Sequence, residues 1–209
     1  MILQFIQTRT KLSAAYEVLE GDSRLYHAEI PLSIKELSLQ LYKLDQMICY
    51  ITVNHEFKNT FSWAKTKVLS SQNIYNRYNE LVGVINLKRT KTFGGYPYYE
   101  VSLNQQLFQI YAVGCGKEGI KIPIYYGEEQ IALIEKDPTV YNNQDRYQIM
   151  AVDEYAADIA CLFNLYYDFI RFGHRGEFVS NTKYTNYEYT VNKELKSKYN
   201  PQFKEMIMG

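Results

Sequence analysis

Apolar and polar residues alternate with a period of two along most of the chain up to Val152. Such alternation predicts half-buried strands. In YEVLEGDSRLYHAEI, Tyr16 to Ile30, two alternating runs flank Gly21-Asp22-Ser23, a β-hairpin signal. The unit recurs in LSLQLYKLDQMICYITV, Leu37 to Val53, around Asp45-Gln46, and more loosely in Val68 to Leu87. It returns in YYEVSLNQQLFQIYAV, Tyr98 to Val113, around Asn104-Gln105, and in IKIPIYYGEEQIALIEK, Ile120 to Lys136, around Gly127-Glu128-Glu129. A leading strand at Ile2 to Ile6 and a trailing one at Arg146 to Val152 bring the total to about twelve. Pro31, Pro97 and Pro138 sit near strand ends or edges, where a missing amide is tolerated. Pro123 falls inside KIPIYY and predicts a weakened strand or a bulge.

The period changes at DEYAADIACLFNLYYDFIRF, Asp153 to Phe172. Asp153 is a good N-cap, Glu154 complements the helix dipole, and Gly173 follows as a stop signal. At 100° per residue, Tyr155, Ile159, Leu162, Phe163, Tyr166, Phe169 and Ile170 fill about half the circumference. Asp158, Asn164, Asp168 and Arg171 form a thin polar seam opposite. The charges rule out a membrane span, since each would cost about 2.5–3.5 kcal/mol near mid-bilayer. A helix apolar nearly all round is buried on most sides.

Twelve antiparallel strands do not stay open and flat; they curl, split or close. A closed barrel of that size needs its wide interior filled. The expected architecture is therefore mainly β, a twelve-stranded antiparallel closed barrel around the C-terminal hydrophobic helix 153–172. The polar seam is expected at an opening or against interior polar groups.

Composition narrows the function. The 209 residues carry 23 basic and 23 acidic side chains, so a protein built mainly to bind nucleic acid is not expected. The 21 tyrosines suit half-buried pleated surfaces, with rings packed and hydroxyls reaching water. Cys49, Cys115 and Cys161 are scattered and odd in number, which fits reduced thiols in a cytoplasmic protein. The start MILQFIQTRTKLS lacks the marks of a signal peptide and is read as a strand.

The hairpin repeats YEVLEGDSRLYHAEI, LSLQLYKLDQMICYITV and IPIYYGEEQIALIEK, the aromatic strand start FSWAKTKVL, and the helix within YQIMAVDEYAADIACLFNLYYDF together resemble the tubby C-terminal-like superfamily. That superfamily includes tubby proteins, the phospholipid-scramblase domain and the LURP-one-related proteins. The resemblance spans Met1 to Phe172 and leaves 173–209 as an extension packed on the barrel or partly disordered. It implies a non-enzymatic binding or scaffold module for anionic lipid headgroups, a membrane surface or a protein partner.

LKRTKTFGG, Leu87 to Gly95, is the candidate ligand-binding stretch, with Lys88, Arg89 and Lys91 beside two glycines. Lysine and arginine near glycine amides can hold phosphate. The bland reading is a solvated edge. His27, His55 and His174 lack metal-ligand spacing, so no metal or other cofactor is expected. No catalytic signature appears, and VGCGKEG reads as a turn. The alternative is an enzyme with its site at the barrel mouth near Asp158 and Asp168. These lie about 15 Å apart along a helix, too far for a glycosidase pair. The extension predicts an edge strand in TKYTNYEYTV and a short helix in NKELKSKY, offering a protein partner a place for strand addition.

Overall fold

The computed structural model describes residues 1–9, 14–31, 37–53, 71–91, 94–172 and 183–209. The strands follow in chain order: β1 (Ile2–Arg9), β2 (Ala14–Glu20), β3 (Ser23–Ile30), β4 (Leu37–Lys43), β5 (Gln46–Val53), β6 (Gln72–Asn76) and β7 (Leu81–Arg89). Then come β8 (Pro97–Leu103), β9 (Gln106–Ile110), β10 (Val113–Gly114), β11 (Ile120–Tyr126), β12 (Glu129–Lys136), β13 (Thr139–Tyr141) and β14 (Arg146–Ala151). After them run α1 (Glu154–Arg171), β15 (Lys183–Thr185), α2 (Lys193–Lys196) and α3 (Gln202–Met208). Twelve strands close an antiparallel barrel, running β11-β12-β14-β1-β2-β3-β4-β5-β6-β7-β8-β9 and back to β11. The expected hairpins are all present. The strand start predicted at Phe61 to Leu69 lies outside the described residues.

Turn chemistry sets the hairpin registers. Leu44 and Asp45 both take positive φ, as do Asn104 and Gln105, and paired left-handed residues match the right-handed twist of the flanking strands. The first of these turns falls one residue before the expected Asp45-Gln46. Leu44 reads as a strand residue in the sequence, yet it stands 69% exposed at the turn.

Pro123 lies inside β11 without breaking it. That strand changes partner on one edge: Ile120 and Lys121 pair with β10, whereas Ile124 to Tyr126 pair with β9. Pro123 sits at the changeover: its carbonyl accepts from the Tyr111 amide at 3.2 Å, only the bond its own amide would have made is missing, and the β11–β12 register shifts just beyond it between Ile124 and Tyr125.

One face of each strand points inward. Leu3, Phe5, Val18, Ala28, Leu39, Leu41, Ile51, Ile74, Val101, Phe108, Ile122, Ile134 and Ile149 are all at most 1% exposed. They and α1 form a single apolar cluster. The Asp153 carboxylate caps the helix by accepting from the Ala156 amide at 2.7 Å. Phe163 meets Tyr99 of β8 edge-on at 5.1 Å, and Tyr155 meets Phe108 of β9 at 6.3 Å. Fully burying Ile159, Leu162, Phe163 and Leu165 contributes roughly 1.5–3 kcal/mol each. That sum exceeds the several kcal/mol it costs to bury one hydrogen-bonded carboxylate, so a helix with a polar seam can still fill the barrel. The helix stop expected at Gly173 lies outside the described residues.

Residues 183–209 run over the outer wall. β15 pairs with β13 as a two-stranded ribbon, and Tyr189 bridges to Cys115. The predicted edge strand is thus regular only at Lys183–Thr185, and the predicted short helix is α2. A Cβ on Gly114 would come within 2.7 Å of the Glu188 carbonyl, so only glycine lets the chain pass this close. Leu195 of α2 packs on Tyr96, Tyr111 and Val113, and Phe203 of α3 covers Leu133 and Met150.

Candidate functional site

The polar seam of α1 divides into three environments. Asp158 lies toward one barrel mouth, its side chain 30% exposed. It accepts from the Tyr26 hydroxyl at 2.7 Å and from Lys43 Nζ at 2.8 Å. Lys43 also reaches Glu154 at 2.7 Å. Burial pulls the Lys43 ammonium down, but the two carboxylates outweigh it and hold its pKa above the ordinary value.

Asp168 is fully buried at the other end. It accepts from Tyr16 of β2 at 2.7 Å and from Tyr147 of β14 at 2.5 Å. A second buried pair, Lys136 with Asp145, lies beside it, and Lys136 Nζ stands over the Phe172 and Tyr147 rings. Burial raises the Asp168 carboxyl, the Asp145 charge adds to this, and the tyrosine hydroxyls and Lys136 oppose it. The carboxyl is pushed up to about 6.

Asn164 lies between them with no exposure. Neither polar atom of its side chain meets a hydrogen-bond partner among the described residues. The seam therefore meets both expected surroundings, an opening at Asp158 and interior polar groups at Asp168. The raised carboxyl that an enzyme reading requires is present, but Asp168 reaches no opening through which a substrate would approach.

The three cysteines are held as thiols. Burial pushes Cys49 up to about 12, raises Cys161 well above the ordinary value, and raises Cys115. His27 stacks on Tyr42 at 4.5 Å, while His55 and His174 lie outside the described residues. VGCGKEG forms β10 and a short 3-10 turn at Gly116–Glu118.

The basic stretch at the end of β7 is the second candidate. Lys88 bonds Glu100 of β8 at 2.6 Å, and Lys91 stands 3.7 Å from Glu194 of α2. Arg89 is exposed and has no carboxylate partner among the described residues. The extension adds what the sequence did not place here. Asn192 donates to the Gly94 carbonyl at 3.3 Å, seating α2 against the loop that follows the stretch. The α2 segment and the turn after it carry Lys193, Lys196 and Lys198, none with a carboxylate partner among the described residues. Lys198 lies over Tyr111 at 5.0 Å, Tyr111 stacks on Tyr98 at 5.7 Å, and Tyr98 sits opposite Lys88 in the ladder.

Next to this face a cavity of about 160 Å³ opens where α1 leaves the barrel. Leu87, Tyr99, Ala112 and Tyr167 give it apolar walls. Arg171, held by Glu188 at 2.9 and 3.1 Å, edges it.

Sequence reasoning missed three groups: the wall tyrosines that receive the seam, the Lys136–Asp145 pair, and α2 as the neighbour of Lys88 to Lys91. The first two carried a signal. Tyr16, Tyr26 and Tyr147 alternate in phase with inward residues, and Lys136 is in phase with Ala132 and Ile134. A buried tyrosine hydroxyl requires an acceptor, and the seam carboxylates were candidates. No described helix is long and apolar enough to cross a membrane. Neither a family model, nor a curated protein, nor a solved structure matches this chain.

Proposed function

We propose that this chain is a non-catalytic, tubby-like barrel module of the cytoplasm that docks on anionic lipid headgroups through the face built by Lys88, Arg89, Lys91 and α2. The observation that carries the reading is the seating of α2 on the basic stretch. It sets a second lysine-bearing segment beside Lys88, Arg89 and Lys91, with Glu100 and Glu194 engaging Lys88 and Lys91 there.

The ion pairs on Lys88 and Lys91 do not disable the face. Exposed pairs are worth about 0–1 kcal/mol, so a dense anionic surface can draw these lysines away. Each lysine or arginine near such a surface contributes about 1 kcal/mol. The helix that fills the barrel supports the same reading, because it leaves the outer wall as the place where a ligand is met.

Flotation of the full chain with vesicles of phosphatidylcholine, with and without phosphatidylserine, tests it. Recovery is expected only with the anionic vesicles, and it should fall as salt rises. Lys193→Glu with Lys196→Glu should weaken recovery by about tenfold or more. Equal recovery on both vesicle types overturns the lipid reading. Recovery that changes with neither the variant nor salt overturns the proposed face, and no recovery on either vesicle type points instead to a protein partner on the extension.

A further inference from the structure

A second surface feature lies away from the basic face, on the outer wall across β11, β12, β14 and β1. It is a trough of about 340 Å³, within the size range of small-ligand sites. The ladder sets its floor: Gln4, Gln148, Glu135 and Lys121 stand opposite one another in a row across the four strands. Lys204 of α3 bounds one side by bonding Glu135 at 2.7 Å. Asp137 and Pro138, just before β13, bound the other.

The polar groups of the trough fall into two kinds. Lys121, Glu135 and Lys204 satisfy one another at 2.7–2.8 Å. Burial raises the Glu135 carboxyl, but its bonds to the two lysines outweigh this and leave it below the ordinary value. The remaining groups lack partners. The Gln4 and Gln148 side chains, directly opposite each other, make no hydrogen bond among the described residues. Arg146 is exposed and meets no carboxylate there either. Its neighbour Asp137 instead accepts from the Thr139 amide at 2.8 Å. The Arg146 guanidinium lies 5.2 Å from the centre of the Tyr141 ring, and Lys183 Nζ lies 5.1 Å from the same ring. Two cations thus share one ring, fixed in place on separate strands.

We propose that this trough binds a sugar-sized polyol bearing one anionic group, a phosphate or a carboxylate. The anionic group meets Arg146, and the hydroxyls meet Gln4 and Gln148. A guanidinium held in place by a ring loses little freedom when it binds an anion, and such charge-assisted bonds are the strong ones. The two amides each offer a donor and an acceptor, which suits hydroxyls. Glu118 and Asp137 also line the trough, and their charges disfavour a second anionic group while accepting from hydroxyls. Tyr141 already carries two cations, so its ring is not offered to a base.

Amide chemical shifts of the full chain, followed by NMR during titration, test this site. The probes are glucose 6-phosphate, glucuronate, glucose and inorganic phosphate. Saturable shifts at Gln4, Arg146 and Gln148 are expected with glucose 6-phosphate or glucuronate, and whichever binds more tightly identifies the anionic group. Glucose and inorganic phosphate should each bind about tenfold more weakly or worse. Arg146→Gln, at an exposed position, should weaken the tight probe by a similar factor. The proposal is overturned if inorganic phosphate binds as well as glucose 6-phosphate, if no probe shifts these amides, or if Arg146→Gln leaves binding unchanged.

Discussion

Asp158 and Asp168 project from the same helix, and each accepts a wall tyrosine at 2.7 Å, yet their surroundings differ in kind. At the mouth, Asp158 meets an ammonium and is partly wetted, so its charge is compensated locally. In the sealed interior, Asp168 meets two neutral hydroxyls, and the ammonium nearby is already bound by Asp145. Identical residues on one helix thus become a surface-type ion pair and a sealed acid. Charge at a barrel opening costs little, while charge in the interior is kept only where the wall supplies donors.

Alanine substitutions should break this comparison most clearly. Asp168→Ala removes the acceptor of Tyr147 and Tyr16 and leaves a gap. It should lower unfolding free energy by about 3 kcal/mol or more. Asp158→Ala should cost less, about 1–2 kcal/mol, because Lys43 keeps Glu154 and the main loss is the acceptor of the Tyr26 hydroxyl at a partly wetted mouth. Urea unfolding at neutral pH measures both, and equal losses would contradict the assignment of sealed and open ends.

The two carboxyls Asp168 and Glu135 should also respond to pH with opposite signs. Asp168 is raised in the folded state, from 3.8 to about 6. Its contribution to stability is therefore complete below 3.8 and lost as pH rises through about 6, a change on the order of 3 kcal/mol. Glu135 is lowered by Lys121 and Lys204, so its contribution holds above its unfolded value and is lost as pH falls through the folded one. Asp168→Asn, which keeps an acceptor for one tyrosine, should remove the first trend and leave the second. A pH series of unfolding midpoints for both chains reads the difference directly.

Asn164 gives the smallest effect. An amide with neither polar atom paired among the described residues costs more in the core than it returns, so Asn164→Leu should be neutral or stabilising by about 1 kcal/mol. A large loss in thermal unfolding would show that the amide has a partner in solution.

Much of this architecture was legible along the chain. Tyr16 to Ile30 announced a hairpin by its alternation and its Gly21 turn, and Asp153 announced a helix start. Both are local signals, set by side-chain period and capping. The turn at Leu44 was displaced because a left-handed leucine has no local signature. The changeover at Pro123 depended on which strand lies beside β11. The candidate sites were less legible. Lys88, Arg89 and Lys91 stood out as a basic cluster, but nothing local placed α2 against them. Arg146, Gln4 and Gln148 drew no notice, because their nearness follows from β1 pairing with β14.

The sequence by itself determined the barrel's strand count, most of the turns, and a helix too apolar for a surface yet too charged for a membrane. Period and capping act over a few residues, so a linear reading captures them. Only the tertiary structure decided what the polar seam meets. Tyr16 and Asp168 are 152 positions apart, and they touch because the barrel closes with α1 inside. Closure also decided the outer faces, where side chains from distant strands and from the extension become neighbours through backbone pairing.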